Sequence, residues 1–163
     1  MASGDTLAVF TPLSNEPPSA NFATLDTRNL HPTLDFDATT EEKAVFTGIM
    51  PRNYAGGGVT NTIFWTGGTA TGGTVVWQTA FERIGTVLDI DGDSFATGNN
   101  GTLVAPSTTG SLTSTAIAHT DGAQMDSIAV GELYRIAVTR EVADAQDSMG
   151  GDAGLMGIEI KET

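Results

Sequence analysis

The chain has 163 residues, of which 39% are hydrophobic and 20 are glycine, enough for one domain around one core. Asp and Glu number 20 against seven Lys and Arg, and the formal net charge of −13 argues against nucleic acid and anionic lipid, both of which call for a basic footprint. There is no cysteine, hence no disulfide or thiolate metal site, and no apolar run of about 18 residues that would make a membrane-spanning helix.

Residues 1–21 read as an extended N-terminal arm. Met1 to Phe10 has neither a basic start nor a long apolar stretch, so no secretion signal is expected there. The short apolar run Leu7–Phe10 is followed by Pro12, Pro17 and Pro18, which remove backbone donors and favour extended chain. Such an arm either folds back on its own domain or lies on a neighbouring copy.

Residues 22–163 read as the domain proper. Leu34 and Phe36 alternate with Thr33, Asp35 and Asp37 at the period of a strand. Ala44 to Met50 is apolar on both faces, as in a buried strand, and ends at Pro51. After the Gly56–Gly58 loop, Val59, Ile63 and Trp65 share one face against Thr60, Thr62 and Thr66. A tight connection is expected between Gly67–Gly68 and Gly72–Gly73. Val75, Trp77 and Phe81 then oppose Gln78 and Glu82. Asn100–Gly101 is a two-residue hairpin signal. Leu112–His119 reads as a strand, Asp121–Gly122 as a turn, and Ala123–Ala129 as room for one helical turn with Asp121 as a possible cap. Tyr134, Ile136 and Val138 share a face, and a last strand sets Met156, Ile158 and Ile160 against Gly157, Glu159 and Lys161. About eight short strands and no amphipathic helix of ten residues predict an all-β fold: a single antiparallel β-sandwich or jelly roll.

Few residue groups suggest chemistry. Asp89, Asp91 and Asp93 have the spacing that opens a calcium loop. An EF-hand needs Gly sixth and Glu twelfth, and here Ser94 and Asn100 stand there, so an acidic turn is the better reading. Arg140 beside Asp144, Asp147 and Asp152 suggests an ion pair pinning the last loop. His31 and His119 read as packed or hydrogen-bonded histidines. No nucleophile elbow, P-loop, dinucleotide fingerprint or zinc-protease motif occurs, and no pair of carboxylates is singled out for glycoside hydrolysis. The expectation is therefore no enzyme, no cofactor and no resident metal. Trp65 and Trp77 fall on core faces, whereas Tyr54, in a glycine-rich loop, is the expected exposed contact for a ligand or partner.

The stretch Asn21–Asn29 with His31–Pro32 and Leu34–Asp37, the segment Pro51–Tyr54, and the run Gly131–Arg135 through Arg140 to Glu159 resemble small virion proteins of tailed phages. The resemblance spans most of residues 20–163 and implies a jelly-roll virion component, often trimeric, made in the host cytoplasm. On that footing the leading expectation is a capsid decoration (cement) protein on the capsid exterior, clamping major capsid protein subunits. Its contacts would come from Leu7, Val9 and Phe10 of the arm and from Arg52, Asn53 and Tyr54. The alternative is a receptor- or carbohydrate-binding module of a head fibre or tail tip.

Overall fold

A computed structural model describes residues 4–69 and 72–163. Among them are ten strands: β1 (Thr6–Phe10), β2 (Thr24–Arg28), β3 (His31–Phe36), β4 (Lys43–Ile49), β5 (Val59–Gly67), β6 (Thr74–Ile84), β7 (Asn99–Val104), β8 (Leu112–His119), β9 (Leu133–Arg140) and β10 (Ala153–Glu162). They form an antiparallel β-sandwich. One sheet has the order β2-β3-β10-β5-β8, with β1 also paired to β10, and the other runs β4-β9-β6-β7. Part of the expected β5–β6 connection, residues 70 and 71, lies outside the described residues.

Alternation places the core. Trp65 and Ile63 of β5, Trp77 and Phe81 of β6, Tyr134 and Ile136 of β9 and Phe36 of β3 all point between the sheets and are buried. Trp77 packs in T-shaped fashion with two rings, with centroids 4.9 Å from Phe36 and 5.9 Å from Trp65. Such pairs add about 0.5–1.5 kcal/mol to the area they bury.

Three of the ten strands, β1, β2 and β7, have no counterpart among the strands that the sequence pattern predicts. β1 and β2 lack a clean two-face alternation in sequence. In β4, Ala44, Val45 and Phe46 are buried, but Ile49 at the strand end is 65% exposed. The closing strand keeps Ile158 and Ile160 inside, yet Met156 is half-exposed because the register with β5 slips between Leu155 and Gly157. Met156 is the extra residue of a bulge, and Leu155 takes the inward place.

Residues 4–21 are not a free arm. β1 pairs Ala8–Phe10 with Ile160–Ile158, beyond the point where β3 leaves the same edge of β10. Leu7 and Phe10 thereby enter the core, at 9% and 8% exposure. The chain then crosses to the other sheet and covers the edge of β4. Glu16 donates its N–H to the Val45 carbonyl at 2.7 Å, the Asn15 side chain accepts the Val45 N–H at 3.0 Å, and Lys43 exchanges bonds with Asn21 and Ala23. An uncovered β4 edge would leave those groups open to pairing with another chain.

Asn100–Gly101 is not a turn: both lie inside β7. Gly101 is opposite Trp77 in the sheet, and a Cβ there would come within 2.7 Å of Ile117 and 2.8 Å of Thr115 on β8. The glycine lets the edges of the two sheets close on each other. The helical turn shrinks to Ala123–Met125, and its capping position is Gly122 (φ 89°) rather than Asp121.

Candidate functional site

The two outer faces differ. Segment 85–98 folds over the outside of the smaller sheet. Phe95 lies 5.1 Å from the Arg135 guanidinium and 5.8 Å from Lys43 Nζ, and Ala96 donates to the Phe81 carbonyl at 2.8 Å. Glu82, expected to face solvent, is therefore only 2% exposed and ion-paired to Arg135. The outer face of the larger sheet stays open. It presents Thr60, Thr62 and Phe64 of β5, flanked by Ser114, Ala116 and Ala118 of β8 and by Gly157, Glu159 and Lys161 of β10. Phe64 is half-exposed, with the small residues Ser114 and Gly157 directly across from it.

At one end of this face is a cleft of about 510 Å³, walled by Arg28, Asn29 and His31, by Thr109–Leu112, and by Thr66 and Met156. Its shape comes from local backbone. Arg28 pairs with His31 in the β2–β3 hairpin, so Asn29 and Leu30 are a two-residue turn with φ of 46° and 66°, the left-handed pattern of a type I′ turn. That turn raises the exposed His31 ring at the rim. Arg28 Nη1 donates to the Gly67 and Gly68 carbonyls, both at 3.0 Å, which fixes the guanidinium. Gly110, at φ 80°, lies flat against it, and a Cβ there would approach Nη2 to 3.1 Å.

Among the described residues no carboxylate lines this cleft, although the chain carries 20 acidic residues. The acids gather next door, in a cleft of about 200 Å³ that shares Arg28 and Thr66 and holds Asp26, Asp35 and Asp152. Burial pushes the Asp35 carboxyl up, opposed by the Thr33 hydroxyl that donates to it at 3.2 Å; the charges of Asp26 and Asp152 raise it further. Together the two clefts offer guanidinium, imidazole, amide, hydroxyl and carboxyl groups at the edge of an open sheet. That set suits a ligand rich in hydroxyls.

The residues singled out in the sequence fall elsewhere. Leu7 and Phe10 are core. Val9 is 65% exposed on β1, and Arg52 and Asn53 are exposed at the end of the sandwich. Tyr54 is not the exposed contact expected of it: it is 6% exposed, with its hydroxyl donated to the Gly57 carbonyl. Burial, then the charges of Asp121 and Glu162, push its phenol up to about 12. Asp89, Asp91 and Asp93 do not converge. Asp89 accepts the Asp91 N–H and Asp93 the Ser94 N–H, as in ordinary acidic turns, and among the described residues no three His, Asp or Glu side chains gather as a metal site. Trp65 and Trp77 are fully buried and form no sugar-stacking platform.

Sequence reasoning treated His31 as a packed residue and gave Arg28 and Phe64 no role. The signal for the first two was present in Arg28-Asn29-Leu30-His31, a strand–turn–strand with a basic residue on each side. His119 does behave as read: it is 2% exposed, in a buried chain from Asn61 through the Thr79 hydroxyl to His119 Nε2 (3.0 and 2.8 Å).

No protein-family model matches this chain, and no curated protein is significantly similar to it. The fold does have known counterparts, the β-sandwich of carbohydrate-binding modules. The CBM22-2 xylan-binding domain from Paenibacillus barcinonensis Xyn10C superimposes with a TM-score of 0.53 over 92% of each chain at 10% identity. CBM35 from Cellvibrio japonicus Abf62 matches at a TM-score of 0.48 and 12% identity, over 97% of this chain and 92% of that one.

Proposed function

We propose that this chain is a non-catalytic glycan-binding module that receives a saccharide along the open face of its larger sheet, from Phe64 into the Arg28–His31 cleft. The observation that carries this reading is a cleft whose described lining sets guanidinium, imidazole, amide and hydroxyl groups in a largely apolar wall without a carboxylate, beside a half-exposed aromatic ring, on a protein that is acidic elsewhere. Phe64 supplies an apolar surface for a sugar ring, while Asn29, His31, Thr109 and Ser111 supply donors and acceptors for hydroxyls. Specific polar groups set in an apolar wall are the usual anatomy of a small-ligand site. The likeness to a xylan-binding domain supports the fold on which such a face is built. The test is a glycan-array screen followed by calorimetry on the hits. Saturable binding should weaken at least about tenfold in Phe64→Ala and in His31→Ala, with Tm unchanged. Saturable binding to no glycan would refute it.

A second reading, attachment to a particle surface as a decoration protein, draws support from a different patch. Leu13, Phe22 and Leu25 are 69%, 44% and 53% exposed around a cleft of about 220 Å³ on the N-terminal segment. Contiguous exposed apolar surface favours a protein partner. The major capsid protein would be that partner, with the module on the capsid exterior as a homotrimer. Leu13→Ser with Phe22→Ser should abolish co-sedimentation with expanded capsids; undiminished co-sedimentation would count against it.

A further inference from the structure

The smaller sheet is covered in its middle but not at its end. There β4, β9 and β6 run level: Ile49 pairs with Leu133, and Leu133 with Ile84. Tyr134 and Phe81 point into the core, so alternation turns Leu133 and Ile84 outward, with Ile49 beside them. Phe95 sits over the face between Arg135 and Lys43 and leaves this end row open. Ile49 is 65% exposed, Leu133 39%, and Ile84 is half-exposed. The loop leaving β6 extends the apolar surface. Leu88 donates its N–H to the Gly85 carbonyl at 3.1 Å and folds back on that glycine, where a Cβ would lie 3.4 Å from Leu88 Cδ1. Val87, next to it in the loop, is 96% exposed. Aliphatic side chains gathered on the surface in this way mark a protein contact.

Two features name the occupant as a second copy of this chain. Across three strands the row reads Ile–Leu–Ile, so a two-fold sets like side chains against like, as an isologous contact requires. The charges that border the row are already paired: Arg83 with Glu132 at 2.7 Å, and Glu82 with Arg135 in the next row. A chain of formal charge −13 repels its own copies over most of its surface, and a face whose ions cancel is where two of them can touch.

We propose that this chain forms a two-fold homodimer through Ile49, Leu133 and Ile84, with Leu88 and Val87 at the margin. A dimer joined through the smaller sheets leaves both larger sheets free, so the contact is independent of the glycan face. The experiment is sedimentation velocity of the full chain over a concentration series, at low and at raised sodium chloride. Monomer should pass to dimer with a Kd in the micromolar range or tighter. Salt should strengthen the dimer, because it screens the repulsion between acidic copies and leaves apolar burial intact. Ile49→Glu and Leu133→Glu should each weaken it at least about tenfold, whereas Leu13→Ser with Phe22→Ser should leave it unchanged. Ile49, exposed at a strand end, keeps the test decisive if the Leu133 substitution does not fold. The proposal is overturned by a monomer at every concentration, which would leave the row to a different protein, or by a trimer, whose contacts are heterologous. It is overturned equally by a dimer that survives both glutamate substitutions or dissociates only in the Leu13 and Phe22 variant.

Discussion

Arg140 shows how much of this molecule a single side chain holds. Its guanidinium is fully buried, pairs with both oxygens of Asp147 at 2.9 and 3.1 Å, and donates to the Met149 and Gly151 carbonyls at 2.6 and 2.8 Å. Asp147 in turn accepts the Val76 N–H at 3.0 Å, so the 141–152 loop is stitched to β6 and β9 together. Arg140→Met leaves Asp147 buried without its cation and is expected to cost about 3–5 kcal/mol in urea unfolding. Adding Asp147→Leu should restore a large part of that loss, because the buried lone charge is then gone.

His119 supplies a pH-dependent term. Burial lowers its imidazole pKa, partly offset by the Gln124 carbonyl. Between the lowered folded value and about 6.5 in the unfolded chain, the unfolded state holds more protons. Stability is therefore full above that window and falls as pH drops through it. Asp35, Glu42 and Glu141 are shifted upward, chiefly by burial, and act in the opposite sense at lower pH. The informative quantity is the difference between proteins: from pH 7.5 to 5.5 the native chain should lose more stability than His119→Gln. Equal losses would mean that His119 does not titrate as its burial implies.

At the scale of elements, the β2–β3 turn carries an unusual burden. Leu30 holds a left-handed φ of 66° with its side chain 90% exposed, so it accepts backbone strain with no packing in return. Leu30→Gly should raise stability by about 1 kcal/mol, measured as a higher denaturant midpoint with unchanged m, and leave the His31 cleft intact. The faces of β5, β6 and β9 were legible in the sequence because Trp65, Trp77 and Tyr134 repeat at the strand period and the sheet obeys that period locally. β1 was not. Whether Leu7–Phe10 pairs with its own domain depends on the length of β10 edge that β3 leaves free, a fact settled a hundred and fifty residues away. Gly101 misled for a similar reason: Asn-Gly favours a turn, but contact with Ile117 and Thr115 across the sandwich decided the position. The cleft was legible only at Arg28–His31. Its other wall, Thr109–Leu112, reaches it by tertiary folding, and Phe64 was obscured by the stronger inward signal of Ile63 and Trp65.

For the whole molecule, the division of labour between the faces follows from what covers them. The smaller sheet is closed by Phe95 and its cations, and the cavity between the sheets is filled with aromatic rings, leaving the larger sheet as the broad unobstructed surface. Among the described residues no carboxylate lines the Arg28–His31 cleft, while Asp26, Asp35 and Asp152 stand next to it around the shared Arg28, so a saccharide there would be held by hydrogen bonds and apolar contact rather than by net charge. Neutral glycans should therefore bind with little dependence on salt, in contrast to a ligand steered by charge. The most direct measurement is an amide NMR titration of the isotope-labelled chain with a saccharide hit. The glycan-face account predicts saturable shifts grouped at Arg28–His31, Phe64–Thr66, Thr109–Leu112 and Met156. Shifts centred on segment 85–98 or on the N-terminal patch of Leu13 and Phe22 would contradict it.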